Sequence, residues 1–264
     1  MSYDVVGYGA IAAYLGKDGL AKLLGPTADY LGGELKDFAK KRIDNIGSIF
    51  ANASNKLSHE KQGVGAVSPK VLRSVLNEGS YCSDELGIEY FGGILASSKS
   101  ESGRDDRGAR LALKASSLTS YQLRAHYILY SALIGCFRNE GLSISVDRHK
   151  LLTLIEMHSF MELMDFDNAE GEQIDAIFAH IFSGLSQEGL IQERYAYGHA
   201  AYLKGIDSRI NDSGVTFLPT VGGVELFLWA FGLGDKWLDF MFDEAFDFAI
   251  DSIDLKTLIA EPIK

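Results

Sequence analysis

Apolar side chains recur every three or four positions through much of the chain, and this spacing constrains the fold more than any other feature of the sequence. In residues 17–57 the pattern consists of Leu20, Leu23, Leu24, Leu31, Leu35, Phe38, Ile43, Ile46 and Phe50. Residues at this spacing share one face of an α-helix. Because proline cannot continue a helix, Pro26 should end a first helical stretch, and a longer helix is expected over residues 28–57. The sequence therefore predicts a mainly α protein.

Helix-start signals predict further helices along the chain. Ser68-Pro69 places proline at a first helical position, and Thr119 with Gln122 has the form of a capping box before a strongly apolar helix. Asp147 is expected to cap another helix, whose apolar positions are Leu151, Leu154, Ile155, Phe160 and Leu163. The charged stretch 97–108 lacks periodic apolar residues and is predicted to be an exposed loop. Residues 1–140 are assigned to a helical N-terminal lobe.

Two short β-like runs interrupt the helical pattern in the C-terminal part, at residues 191–197 and 215–218. Helices followed by two short strands form the outline of a winged-helix unit, so residues 141–264 are predicted to form a winged-helix-like lobe with a two-stranded β-hairpin. Residues 237–259 alternate bulky apolar and acidic side chains. This segment is predicted to be an acidic, amphipathic terminal helix that docks on its own domain or on a neighbouring subunit.

The net charge of −11 is distributed unevenly. Residues 1–150 contain 19 Lys and Arg against 16 Asp and Glu, whereas residues 151–264 contain 6 against 20. Because attraction to phosphates requires a basic surface, the acidic C-terminal part argues against general nucleic-acid binding. The mildly basic N-terminal part is compatible with an acidic partner.

Residues 3–16 include Gly7-x-Gly9-x-x-Ala12, the outline of a dinucleotide-binding turn. That turn requires a second strand and an acidic residue about 20 positions later, but helical periodicity follows instead, so no nucleotide cofactor is predicted. The same small residues suit close helix packing, either within the protein or with a second subunit. Lying on a membrane surface is a third interpretation. No apolar run reaches the roughly 18 to 20 residues that a transmembrane helix needs.

The sequence contains no local signature of catalysis or metal binding. No HExxH, CxxC, G-x-S-x-G or phosphate-loop motif occurs, so neither catalytic residues nor a metal is predicted. An enzyme whose site combines distant residues is left open, with Asp105, Asp106 and His126 as the residues to replace. Cys82 and Cys136 are far apart and lack metal-type spacing, which is typical of a reduced, cytoplasmic protein.

The strongest binding candidate is the stretch GRDDRGAR, residues 103–110, which contains Arg104, Asp105, Asp106, Arg107 and Arg110. Arginine forks suit carboxylate or phosphate groups, so this stretch is a candidate ligand or partner site. His126 lies about two helical turns into the following helix and is expected to face the loop. The structural alternative is a helix cap with surface ion pairs.

A second candidate is the basic face formed by Lys36, Lys40, Lys41 and Arg42. Their spacing places them on one side of the long predicted helix, where Asp37 and Asp44 supply local pairs. A face of this kind either remains solvated or binds a partner.

Five stretches of the sequence, in this order, resemble the abortive-infection alpha group of bacterial proteins. They are GPTADYLGGELKDFAKKRI, LGIEYFGGILASSKS, RDDRG, SSLTSYQLRAHYILY and GVTFLPTVGGVELFLWAFG. The resemblance covers residues 20–235 and implies a largely helical cytosolic protein that takes part in bacterial defence against phage. It supplies no active site. The long DDRG loop and the acidic C-terminal segment depart from the resemblance.

These observations together lead to an expected function. We expect a non-enzymatic defence or stress protein that acts through a protein partner or as a homo-oligomer, without a cofactor. A membrane-associating effector that uses the N-terminal segment is one alternative. A winged-helix DNA-binding regulator is the weaker one, because residues 170–191, which precede the first β-like run, contain no Lys or Arg.

Overall fold

The structure, a computed structural model, describes residues 33–57 and 65–264, with side chains from residue 40 onwards. The Gly/Ala-rich N-terminal stretch, the helix expected before Pro26, and the Lys36 side chain lie outside the described part. The chain divides into two compact units. The first unit comprises residues 1–117 and 229–235, and the second comprises residues 118–228 and 236–264. The sequence-based lobe boundary at residue 140 falls inside the second unit.

In its described part, the first unit consists of helices and one small antiparallel strand pair. The helices are α1 (Gly33–Lys56), α2 (Pro69–Gly79), α3 (Glu85–Ser97) and α4 (Arg107–Ser117). The strands β1 (Ala66–Val67) and β2 (Lys99–Ser100) pair with each other. Helix α1 packs along α3, and α2 packs against α4.

Local sequence signals explain where these helices begin and how closely they pack. Pro69 begins α2, as its fixed φ angle favours. The Asp84 carboxylate caps α3 by accepting a hydrogen bond from the Gly87 amide at 2.8 Å. A Cβ atom at Gly93 would lie 1.7 Å from the carbonyl oxygen of Ala230, so glycine is required where α3 meets the 229–235 segment.

The second unit combines helices with a four-stranded sheet. Its helices are α5 (Ser120–Phe137), α6 (Met157–Met164), α7 (Asn168–Gly171), α8 (Ile174–Gln187), α9 (Ala200–Ile206) and α10 (Val221–Ala230), whose last two residues belong to the first unit. Its strands are β3 (Thr153–Glu156), β4 (Ala196–Gly198), β5 (Gly214–Phe217) and β6 (Ala260–Pro262). Short 3₁₀ turns occur at Arg148–Lys150, Leu238–Phe242 and Leu255–Thr257.

The sheet has the order β4-β5-β3-β6, and every neighbouring pair is antiparallel. This corrects the expected two-stranded hairpin. The two β-like runs do contribute β4 and β5, but α9 separates them in the chain, and two further strands extend the sheet. In β3, Ile155 is opposite Val215 of β5 on one side and Ala260 of β6 on the other.

Two segments that the sequence predicted to be α-helices have other structures. Strand β3 occupies part of the helix expected after Asp147, and only Met157–Met164 of that segment is α-helical. A short apolar run fits a buried strand as well as a helix, so its periodicity could not distinguish the two.

The closing acidic segment is also not a helix. Asp243, Asp247 and Asp254 each accept a hydrogen bond from the backbone amide two residues later, at 2.8, 3.1 and 3.1 Å. These local turns compete with helical hydrogen bonding. Phe246 and Ile250 are nevertheless buried, so the segment covers the core of its unit as a series of turns.

The mainly helical character of the protein is confirmed, as is the capping box at the start of α5. Gln122 donates its backbone amide to the Thr119 hydroxyl at 3.4 Å, and the Thr119 amide donates to the Gln122 side chain at 3.0 Å. Among the described helices, none is both long enough and apolar enough to cross a membrane.

Candidate functional site

The arginine–aspartate loop lies at the start of α4 in the first unit. Arg107 donates from Nε and Nη2 to the Asp105 carboxylate, with a shortest distance of 2.7 Å, and its backbone amide donates to the same group at 3.1 Å. These hydrogen bonds hold the pKa of Asp105 below its ordinary value. Asp105 is therefore ionised and orients Arg107. This arrangement resembles the structural alternative, a helix cap with ion pairs.

Arg107 is also fixed from its other side. Its guanidinium carbon lies 5.2 Å from the ring centroid of Trp229, which is buried, a cation–π geometry. The next residue, Gly108, is packed so closely that an added Cβ atom would lie 2.0 Å from Ser98 Oγ. The loop is thus attached to the body of the first unit by Arg107 and by the backbone that follows it.

Arg104 precedes this fixed arginine in the chain and Arg110 follows it, and both side chains are exposed. Lys70 borders the loop through a 3.0 Å ion pair with Asp106, in which both partners are more than half exposed, so the pair contributes little to stability. We call Lys70, Arg104, Arg107 and Arg110 the arginine surface. Its guanidinium groups suit the bidentate binding of carboxylates.

His126, which was expected to face the loop, belongs to the core of the second unit. Its side chain is fully buried, its Nε2 lies 3.2 Å from the carbonyl oxygen of Gly223, and its ring lies 4.6 Å from that of Tyr130. Burial lowers the pKa of His126 to about 3, against the opposing effect of the Gly223 hydrogen bond. The imidazole is therefore neutral near pH 7 and acts in packing.

The second predicted candidate, the basic face of α1, is partly solvated. Lys40 and Lys41 are exposed. Arg42 is instead half-buried: its Nε donates to Ser80 Oγ at 3.0 Å, and its guanidinium carbon lies 4.2 Å from the ring centroid of Tyr81. Arg42 thus connects α1 with the end of α2, so among the described basic side chains of this face only Lys40 and Lys41 are exposed.

The second unit contains a surface pocket of about 300 Å³ that sequence reasoning missed. Helix α5 contributes Ser131, Ala132, Gly135 and Cys136, and the closing segment contributes Phe248, Leu255, Leu258 and Ala260. The four helical residues are small and spaced i, i+1, i+4 and i+5, so they form a shallow face on α5. This run of small residues inside an apolar helix was the available sequence signal.

Two polar side chains line this pocket. Ser131 is 1% exposed, and its Oγ forms no hydrogen bond within the described part of the chain. Burial, followed by the nearby Glu261 carboxylate, raises the pKa of the Cys136 thiol to about 11. Since the thiolate is the nucleophilic form, Cys136 is a protonated and weakly reactive thiol at neutral pH. The pocket is therefore suited to binding.

Hydrogen bonds hold the pocket wall opposite α5. The Tyr127 hydroxyl donates to the carbonyl oxygen of Phe248 at 3.0 Å. Arg138 Nη2 donates to the carbonyl oxygen of Phe246 at 2.8 Å, and its guanidinium carbon lies 5.5 Å from the ring centroid of Phe248. The wall is preformed, as in most small-molecule sites.

Over residues 40–57 and 65–264, no three His, Cys, Asp or Glu side chains gather in a way that could hold a metal ion. His158 and Glu162 share an exposed face of α6, as their i, i+4 spacing predicts, but two ligands do not make a metal site. Comparisons with protein-family models, with curated proteins and with solved structures found no match.

Proposed function

We propose that this protein is a non-enzymatic bacterial defence or stress protein that binds an acidic protein partner through the arginine surface. The observation that supports this most directly is the fixed position of Arg107, held by Asp105 and stacked on Trp229. Arginines that are oriented before binding lose less conformational entropy when a partner arrives. The resemblance to abortive-infection alpha proteins motivates the role in defence against phage.

Carboxylates of a protein suit this surface better than a nucleic-acid backbone does. Asp105 and Asp106 lie among the arginines and would repel a continuous row of phosphates. The second unit contains 10 Lys and Arg against 21 Asp and Glu, so its charge also opposes binding to nucleic acid. A partner that presents separate carboxylates can pair with Arg104 and Arg110 individually.

Two of the three titratable groups named for a scattered catalytic site, Asp105 and His126, favour the non-enzymatic interpretation. Asp105 is held as a carboxylate by Arg107, and His126 is buried and neutral. A general acid or base needs a pKa near the working pH and access to the substrate. Neither residue meets both conditions.

We also propose that the second unit has a winged-helix-like architecture. It is supported by the antiparallel pair β4 and β5, which follows α8. DNA binding remains the weaker alternative, because α8, the helix that precedes these strands, contains Asp175 and neither Lys nor Arg.

The test compares two double charge reversals in the full chain. Arg104→Glu with Arg110→Glu changes the arginine surface, while Lys40→Glu with Lys41→Glu makes the same change in charge on exposed positions of α1. Each variant is purified from a bacterial host, co-purifying proteins are quantified by mass spectrometry, and phage plaques are counted.

We expect the amount of a stoichiometric partner recovered with the first variant to fall at least roughly 30-fold, because charges that attract an acidic partner are replaced by charges that repel it. It should also lose protection against phage, and the second variant should keep both. Equal recovery of the partner with the unmodified protein and both variants would contradict the proposal. Loss of the partner only with the α1 variant would also contradict it.

A further inference from the structure

We propose that the pocket between α5 and the closing segment binds a small, uncharged molecule with an apolar body and one hydrogen-bonding group, which pairs with the Ser131 hydroxyl. This site is separate in the chain from the arginine surface and does not depend on the function proposed above.

The size and lining of the pocket indicate a small apolar ligand. Its volume of about 300 Å³ is at the lower end of the range for small-molecule sites. Apart from Ser131 and Cys136, it is lined by aliphatic and aromatic side chains and one glycine. Transfer of an apolar body from water to such walls is favourable in proportion to the area that is buried.

Ser131 supplies the specific polar contact. Buried hydroxyl groups in folded proteins nearly always form hydrogen bonds. The Ser131 Oγ forms none with the described residues, although neighbouring polar groups on α5 do, such as the Tyr127 hydroxyl. Because a serine hydroxyl can donate and accept, an alcohol, phenol, ketone or amide in the pocket would complete its bonding.

The charges around the pocket favour an uncharged ligand. Glu261 lies close enough to raise the pKa of Cys136, and it would repel an anion. Arg138, whose guanidinium carbon lies 5.5 Å from the ring centroid of the lining residue Phe248, places a positive charge near the pocket and would repel a cation. A charged ligand of either sign would therefore meet a like charge while losing water to apolar walls.

The closing segment determines the shape of the site. Its local turns place Phe248, Leu255 and Leu258 against α5, where a regular helix would place them on a single stripe. On the α5 side, a Cβ atom added at Gly135 would meet no atom within 4 Å. Substitutions at Gly135 can thus fill the pocket from its exposed rim without disturbing the backbone.

The experiment measures binding of 1-naphthol and naphthalene to the full chain by titration of their intrinsic fluorescence. The two probes share an apolar body and differ by one hydroxyl group. They are titrated into the unmodified protein, Ser131→Ala, Gly135→Leu and Gly135→Ala. The last variant makes the same change in backbone preference as Gly135→Leu but adds only one methyl group. Circular dichroism checks that each variant is folded.

We expect 1-naphthol to bind the unmodified protein roughly 3- to 10-fold more tightly than naphthalene, the usual effect of one hydrogen bond. Ser131→Ala should reduce this preference to less than 2-fold, and Gly135→Leu should weaken both probes at least 10-fold. Gly135→Ala should change either affinity by less than 3-fold. If Gly135→Leu does not fold, Leu258→Ser is used, which should weaken both probes by removing an apolar contact.

Three results would overturn the proposal. The first is that neither probe binds the unmodified protein. The second is that the preference for 1-naphthol persists in Ser131→Ala, which would assign the hydrogen bond to another group. The third is that both probes bind the folded pocket-filling variant as tightly as the unmodified protein, which would place their site elsewhere.

Discussion

The guanidinium of Arg107 stacks on the indole of Trp229, at 5.2 Å from guanidinium carbon to ring centroid, although the two residues are far apart in the chain. Arg107 begins α4, and Trp229 is near the end of α10. The position of the arginine surface is therefore set by a contact between distant parts of the sequence. Arginine is required at this position because lysine cannot both stack and form a two-point contact with Asp105.

Replacing Arg107 with lysine should lower the stability of the protein only slightly and lower its affinity for the partner more strongly. The Asp105 pair is partly exposed, so the free energy of unfolding should fall by only about 0.2 to 1 kcal/mol. Affinity for the partner should fall more, by roughly 10-fold, since the fixed planar group is lost. Urea unfolding and quantitative co-purification measure the two effects. Equal affinity with both side chains would show that Arg107 only supports the loop.

Two glycines in helices should respond in opposite ways to alanine. Gly93→Ala forces a Cβ atom against the Ala230 carbonyl group and should lower the free energy of unfolding by about 1 to 3 kcal/mol or more. Gly135→Ala should raise it by up to about 1 kcal/mol, because its Cβ enters open space and alanine favours helix. Urea unfolding of both variants checks this pair. Destabilisation by Gly135→Ala would contradict the open space at that position.

His126 should make stability depend on pH in mildly acidic solution. Its pKa is about 3 in the folded protein and 6.5 for the ordinary side chain, so only the unfolded chain takes up this proton between those values. Stability is therefore complete above pH 6.5 and is lost as the pH falls towards 3. At pH 5 the loss reaches about 2 kcal/mol relative to pH 7.

His126→Gln removes this titration while leaving an amide that can donate to the Gly223 carbonyl group. Urea unfolding at pH 7 and pH 5 should show a smaller loss of stability in the variant than in the unmodified protein. Other titrating groups are common to both proteins and cancel in the comparison. Identical pH dependence would mean that His126 is not held neutral by burial.

Lys56 and Glu89 form a partly buried pair in the first unit, at 2.6 Å, and burial lowers the pKa of Lys56 while Glu89 opposes that effect. Removing one partner leaves a charge without its counter-charge. We expect Glu89→Leu alone to destabilise the protein by about 2 to 4 kcal/mol, and the double variant with Lys56→Met to recover most of this loss. Urea unfolding of the single and double variants measures the coupling. Additive effects would show that the pair contributes little beyond its separate residues.

The sequence predicted those parts of the fold that depend on neighbouring residues. Thr119 and Gln122 are close in the chain, and their capping box forms as expected. The two β-like runs do form β4 and β5, although their pairing, with Ala196 opposite Thr216, joins residues that are 20 positions apart. Strand β3 was missed because its pairing with β6 depends on residues about one hundred positions later.

In the candidate sites too, contacts between neighbouring residues could be predicted from the sequence, whereas contacts between distant residues could not. The contact between Asp105 and Arg107 is local, and the sequence pattern indicated it. The pocket combines Ser131 on α5 with Leu258 in a segment whose local turns were mistaken for a helix. His126 was expected to face the loop of residues 103–110 from its helix, because its spacing in the sequence does not reveal that it is buried.

The division of the first unit between residues 1–117 and 229–235 has a consequence for synthesis. The hydroxyl of Ser97 donates to the Trp229 carbonyl group at 3.2 Å and accepts from the Gly234 amide at 3.0 Å, so part of this unit's core arrives late in translation. At ribosomal rates of roughly 5 to 20 residues per second, the emerging N-terminal helices wait on the order of 6 to 20 seconds for Trp229. During that interval they present unburied apolar surface, the property that makes folding intermediates prone to aggregation.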